Sequence, residues 1–117
     1  MVLKSMDNIK NDRYFAEKAL AEIEIIVEYT KGLSYEEFMS DGKNIDATMF
    51  RLQQMVEQIK SLSDEFKTNY ASVPWGEIIG FRNGIVHEYG ATNYGTVYEI
   101  ISHDIYQLKA LFEEYLQ

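Results

Sequence analysis

At 117 residues, with 46% hydrophobic and 26% charged side chains, the chain can bury one core but not two, so a single domain over residues 1–117 is expected. It contains no cysteine, which excludes a disulfide scaffold and thiolate metal sites. Its net charge of −8 excludes the broad cationic footprint of a general nucleic-acid binder; contact with a phosphate backbone would need a local groove, and an acidic surface equally suits a basic protein partner.

The stretch Met1-Val-Leu-Lys-Ser-Met-Asp7 has no apolar signal core, and no run approaches the ~18 apolar residues that span a bilayer. A soluble, cytoplasmic protein with no membrane partner is expected. Asn11-Asp12 reads as a helix N-cap, followed by Phe15, Ala16, Ala19, Leu20, Ile23, Ile26 and Val27 at amphipathic spacing. Lys31-Gly32 is the expected stop. Glu17, Glu22, Glu24 and Glu28 fall mostly off this stripe and read as a solvated face; with no histidine beside them they make no metal site. Ser34-Tyr-Glu-Glu37 is a capping box for a short helix through about Met39. Asp41-Gly42-Lys-Asn44 reads as a turn.

A second long helix is expected to carry Ile45, Met49, Leu52, Val56, Ile59, Leu62 and Phe66 in a near-heptad seam, as in a bundle. Met49 and Met55 read as core filler, and Arg51 as a bridge to a carboxylate. Thr68 to Pro74 is a connector, because Val73 precedes the only proline and is pushed out of the helical region. Pro74 opens the next helix, whose inward side is expected to hold Trp75, Ile78, Ile79, Arg82, Ile85 and Val86, with the Trp75 N–H finding a partner. Gly76, Gly80 and Gly84 recur every fourth residue and mark a strip where another helix or a second copy approaches. After Gly90-Ala-Thr-Asn93, with Asn93 as cap, a last helix carries Tyr94, Val97, Tyr98, Ile101, Ile105, Leu108, Leu111, Phe112 and Tyr115. His103 reads as exposed. No glycine loop for nucleotide phosphates is present, so no cofactor is expected.

The chemistry concentrates in Trp75-Gly-Glu-Ile-Ile-Gly-Phe-Arg82-Asn83-Gly-Ile-Val-His87-Glu88-Tyr89. A histidine exchanges protons near neutrality, an arginine offers a permanent forked charge to phosphate oxygens, and an asparagine can orient the imidazole or bond the phosphate. Together they suit cleavage of a phosphodiester that carries its own nucleophile, the ribose 2′-OH, with no metal. On a helix Asn83 and His87 share a face, whereas Arg82 and His87 stand about 140° apart. Arginine reach, a loosened last turn or a second copy of the motif is then needed to bring them to one phosphate.

The string Arg82-Asn83-x-x-x-His87-x-Tyr89 behind Pro74-Trp75 resembles the signature of the HepT-like branch of the HEPN superfamily. That resemblance implies an all-α fold, an antiparallel four- to five-helix bundle, as a symmetric homodimer whose two motif helices line a shared cleft. It implies that Arg82 and His87 are the catalytic pair of a metal-independent endoribonuclease acting on RNA and not DNA, with Asn83 as supporting polar residue. It implies a two-component toxin–antitoxin system, in which an MNT-type nucleotidyltransferase antitoxin adenylylates Tyr89. Gly76 departs from the basic residue that many relatives carry after Pro-Trp. A non-catalytic helical subunit that docks the nucleotidyltransferase or presents a nucleotide to it is the alternative, and a structural dimer without chemistry a third.

Overall fold

The computed structural model describes the backbone of residues 2–87 and 93–117, and the side chains of residues 11–81 and 93–117. All regular elements among the described residues are helical: α1 (Val2–Thr30), α2 (Tyr35–Met39), α3 (Gly42–Lys60), α4 (Asp64–Asn69), α5 (Trp75–His87), α6 (Tyr94–Glu99), a π turn (Ile100–Asp104) and α7 (Ile105–Leu116). This is the expected all-α bundle, with α1, α3, α5 and the α6–α7 rod as its long members.

Helix α1 starts well before the expected cap at Asn11-Asp12. Nothing in Val2–Lys10 stops a helix, since the stretch has neither glycine nor proline. Asp12 is instead buried inside α1, where its carboxylate accepts the Ser63 backbone N–H at 2.7 Å and the Ser63 hydroxyl at 2.6 Å. The helix ends as expected: Gly32 takes φ +76°, the left-handed conformation that glycine alone adopts at little cost. The capping box of α2 is present in both directions, Ser34 N–H to Glu37 at 2.9 Å and Glu37 N–H to the Ser34 hydroxyl at 3.1 Å.

The expected turn over Asp41–Asn44 reduces to Asp41, which caps α3 by accepting the Asn44 N–H at 3.1 Å, while Gly42 is already helical. The expected long helix through Phe66 is broken. α3 stops at Lys60, and Ser63 starts α4 by accepting the Phe66 N–H at 3.1 Å. Serines on either side of Leu62 compete with the helical ladder, and Asp12 draws Ser63 to α1. Leu62 and Phe66 are buried all the same, so the elbow preserves the apolar seam.

Polar contacts fix the helix directions. Going along α1 from Asp12 to Glu22 to Tyr29, the partners run backwards from Ser63, just beyond the end of α3, to Arg51 and Asn44 within it, so the two helices are antiparallel. Arg13 reaches the Leu116 carbonyl and Tyr98 the Leu33 carbonyl, which sets the α6–α7 rod antiparallel to α1 as well. The core between them holds Ala19, Ile23, Ile26, Leu52, Val56, Ile105 and Phe112. Asn93 caps α6 as expected, accepting the Thr96 N–H at 3.2 Å. The last rod is not uniform, because the Ile105 N–H bonds back to Ile100 across the π turn. Successive spacings of four from Val97 to Ile105 carry an α-helical stripe round by about 80°. A wider turn takes up that drift and keeps all of these residues inside. No helix of the described residues is long and apolar enough to cross a membrane.

Candidate active site

The motif helix is held at its first turn. The Trp75 ring is buried against Phe66, with centroids 6.0 Å apart, and its indole N–H donates to the carbonyls of Tyr70 at 3.1 Å and Lys67 at 3.2 Å. The Pro74 carbonyl accepts from the Glu77 and Ile78 N–H groups, both at 3.1 Å, which starts the helix where the proline leaves off. From there the backbone is helical to His87, and α3 is the principal neighbour of α5.

Arg82, Asn83 and His87 therefore share one helix, and its register sorts them. Arg82 stands on the line continued from buried Trp75 and half-buried Ile79. Asn83 and His87 stand on the line continued from Gly76 and Gly80, about 140° round from Arg82 in the case of His87. Gly76 and Gly80 are exposed, and a Cβ at either would meet nothing within 4 Å. Among the described residues nothing packs on the strip at these two glycines. One copy of the helix does not bring the Arg82 and His87 positions onto one line. Tyr89 and the side chains of Arg82, Asn83 and His87 lie outside what the structure describes.

Beside α5 lies a cleft of about 600 Å³ that no single sequence pattern announces. Leu52 and Met55 of α3 form its floor, Ile78 and Phe81 of α5 one wall, and Ile100 and Leu111 of the last rod the other. Leu52, Met55, Ile78 and Leu111 read in sequence as ordinary core, and Phe81 and Ile100 belong to none of the expected stripes. The cleft exists because α5 rests on α3 and stands off from the α6–α7 rod, a fact of tertiary arrangement.

Other charged candidates are accounted for elsewhere. Arg51 pairs with Glu22 at 3.3 Å in a half-buried bridge, and the Glu22 hydrogen bond, with a further contribution from Tyr29, raises its already high pKa. Glu22 thus leaves the otherwise solvated acidic face of α1. His103 is exposed, with Nδ1 3.0 Å from the Ser102 oxygen, whose hydroxyl donates to the Tyr98 carbonyl at 2.6 Å. Among the described residues no group of three or more histidine, aspartate and glutamate side chains could hold a metal ion.

Comparison with known proteins bears on the same helix. The family described as "Ribonuclease HepT-like" matches residues 19–115. "Putative RNase TTE0752" of Caldanaerobacter subterraneus subsp. tengcongensis is 36% identical over 109 residues, covering 93% of this chain and 97% of that protein. "Probable ribonuclease HepT" of Thermococcus cleftensis is 27% identical over 105 residues, covering 90% and 96%. "Putative RNase MJ0125" of Methanocaldococcus jannaschii is 28% identical over 98 residues, covering 84% of each. No solved structure matches.

Proposed function

Because the chain belongs to the HepT-like ribonuclease family, we propose that it is a metal-independent RNA endonuclease and the toxin of a two-component system, with Arg82 and His87 as its catalytic pair. The register of α5 carries this reading. Asn83 and His87 continue an open glycine line, and Arg82 continues a different one. A second copy packed across the strip by a two-fold axis would pair the two Asn83 and His87 faces, and the reach of the arginine side chain from its line about 140° round would then bring a guanidinium to the shared phosphate, so activity is assigned to the dimer.

The chemistry then follows from the residues. An imidazole takes the proton of the ribose 2′-OH as the 2′ oxygen bonds to phosphorus. The guanidinium holds the non-bridging oxygens as their charge grows. The bond to the 5′ oxygen breaks, and the imidazolium of the other copy protonates that leaving oxygen. The products are a 2′,3′-cyclic phosphate and a 5′-hydroxyl end. Asn83 orients the imidazole or bonds the phosphate.

Neutralisation is assigned to an MNT-type nucleotidyltransferase that adenylylates Tyr89, two residues beyond His87. AMP there adds bulk and negative charge near the arginine and so opposes an incoming phosphate. Expression in a sensitive host tests the nuclease: wild type should arrest growth, and Arg82→Ala and His87→Ala should each lose activity by about 10²-fold or more. Equal toxicity of wild type and variants removes the catalytic pair. Mass spectrometry after incubation with the nucleotidyltransferase and ATP should find AMP on Tyr89, and an unmodified tyrosine removes that step. The acidic surface and Gly76 favour, as second reading, a non-catalytic subunit that docks the nucleotidyltransferase; it is the reading left if wild type proves harmless yet binds that enzyme.

A further inference from the structure

The cleft beside α5 is longer than it is deep. Its far wall runs along the last rod from Thr96 to Leu111, roughly 20 Å of helix, and its near wall holds Ile78 and Phe81 of α5. A groove of that length between two helices, floored by a third, takes another helix laid lengthwise. We propose that its occupant is the first turns of α1, residues 2–10, from a second copy of this chain. The contact uses none of the catalytic side chains and does not rest on the ribonuclease reading.

Within one copy those turns run past the helices on which α1 packs. Asp12 already bonds to Ser63, beyond the end of α3, and Arg13 reaches the carbonyl of Leu116, the last residue of α7. The backbone of residues 2–10 continues the helix roughly 12 Å past those ends. The register continues with it. Ala16, Leu20, Ile23 and Val27 form a line, at spacings of four and three, that α1 lays against the core. Run backwards through Arg13, the same line reaches Ile9, Met6 and Val2. This extension precedes residues 19–115, the stretch that matches the family. Charge is complementary: Glu77 and Asp104 line the groove from opposite walls, with no lysine, arginine or histidine among its described lining residues. Residues 2–10 carry Lys4 and Lys10 against one acid, Asp7. The Ser72 and Thr96 hydroxyls and the Gln107 amide both donate and accept, as the side chains of Ser5 and Asn8 do. Two such segments pairing with each other would join convex surfaces with three apolar positions apiece, whereas the groove offers the same three a floor and two walls. Seated there, the segment wedges between α5 and the rod and braces the motif helix on the side away from α3.

By itself this contact is small, so proximity reports it better than oligomeric state does. The chain has no cysteine, and single introduced thiols therefore read one contact at a time. Full-length Met6→Cys is mixed in a glutathione redox buffer with a differently tagged full-length Ser72→Cys, Gln107→Cys or Thr96→Cys chain, positions that sample the groove along its length. Circular dichroism checks that every variant keeps its helix content. At least one of these pairs should cross-link about tenfold faster than Met6→Cys with Ala21→Cys, an exposed control on α1, because docking raises the effective concentration of the thiols. Lys4→Glu with Lys10→Glu should remove that excess, and Glu77→Lys with Asp104→Lys in the groove-bearing copy should restore it. Rates no higher than the Ala21→Cys control overturn the proposal. So does faster joining of Met6→Cys to itself than to any groove position, which pairs segment with segment. None of these rates depends on cleavage, so this contact and the ribonuclease reading fail separately.

Discussion

Asp12 is the residue whose role differs most from its sequence context. It looks like the cap of the helix it sits in, and instead it ties the elbow between α3 and α4 to α1 from a buried position. Asp12→Ala strands the Ser63 N–H and hydroxyl in a half-buried place, and should cost about 1–3 kcal/mol in urea unfolding. An unchanged midpoint would mean that water replaces the carboxylate at no loss. Tyr115 packs on Phe66 with ring centroids 4.8 Å apart, and burial, aided by the negative charge of Asp12, raises its phenol pKa above the ordinary value. A raised folded-state pKa means that the fold favours the protonated form. The stability so contributed is present below about pH 10 and is lost as pH climbs through the folded value. Tyr115→Phe should therefore flatten the alkaline limb of a stability-against-pH curve relative to wild type. Parallel limbs would show that the phenol ionises equally well in both states.

At the scale of the element, α5 departs from the usual economy of helices. Glycine in a helix interior costs up to about 1 kcal/mol against alanine, and Gly76 and Gly80 face open space rather than a neighbour that needs them small. Nothing among the described residues accounts for that cost. If a second copy lies across the strip, Gly80→Leu should abolish the dimer in light scattering and the toxicity with it, while helix content stays unchanged. A Gly80→Leu chain that remains dimeric and toxic would take the strip out of the interface. The helices themselves were largely legible in the sequence, because capping residues and apolar spacing are local: the Ser34–Glu37 box, the Gly32 stop and the Asn93 cap all stand where expected. The elbow at Ser63 and the π turn were not, since the first depends on Asp12, far off in the chain, and the second on keeping one stripe buried over several turns. The candidate site was legible as a string of residue types, but the cleft was not, because its depth comes from the spacing between α5 and the last rod.

For the whole molecule, charge and shape together limit how RNA can be held. For single strands the logarithm of affinity falls with the logarithm of salt by about 0.7 per phosphate neutralised, so a dimer presenting Arg82 twice should give a slope of only about −1 to −2. Anisotropy titrations across a range of salt concentrations measure it, and a slope of about −4 or steeper would require a cationic track elsewhere on the surface. The antiparallel arrangement has one more consequence. α1 and α3 are joined by a short connection and pair like a hairpin, whereas the far wall of the cleft comes from the rod that follows the motif helix in sequence. A ribosome making this chain finishes the residues of the motif before it has made the wall that faces them. If the motif is the catalytic string proposed above, a nascent chain that has reached only α5 carries it on an unfinished core, and should not yet be a competent enzyme beside messenger and ribosomal RNA.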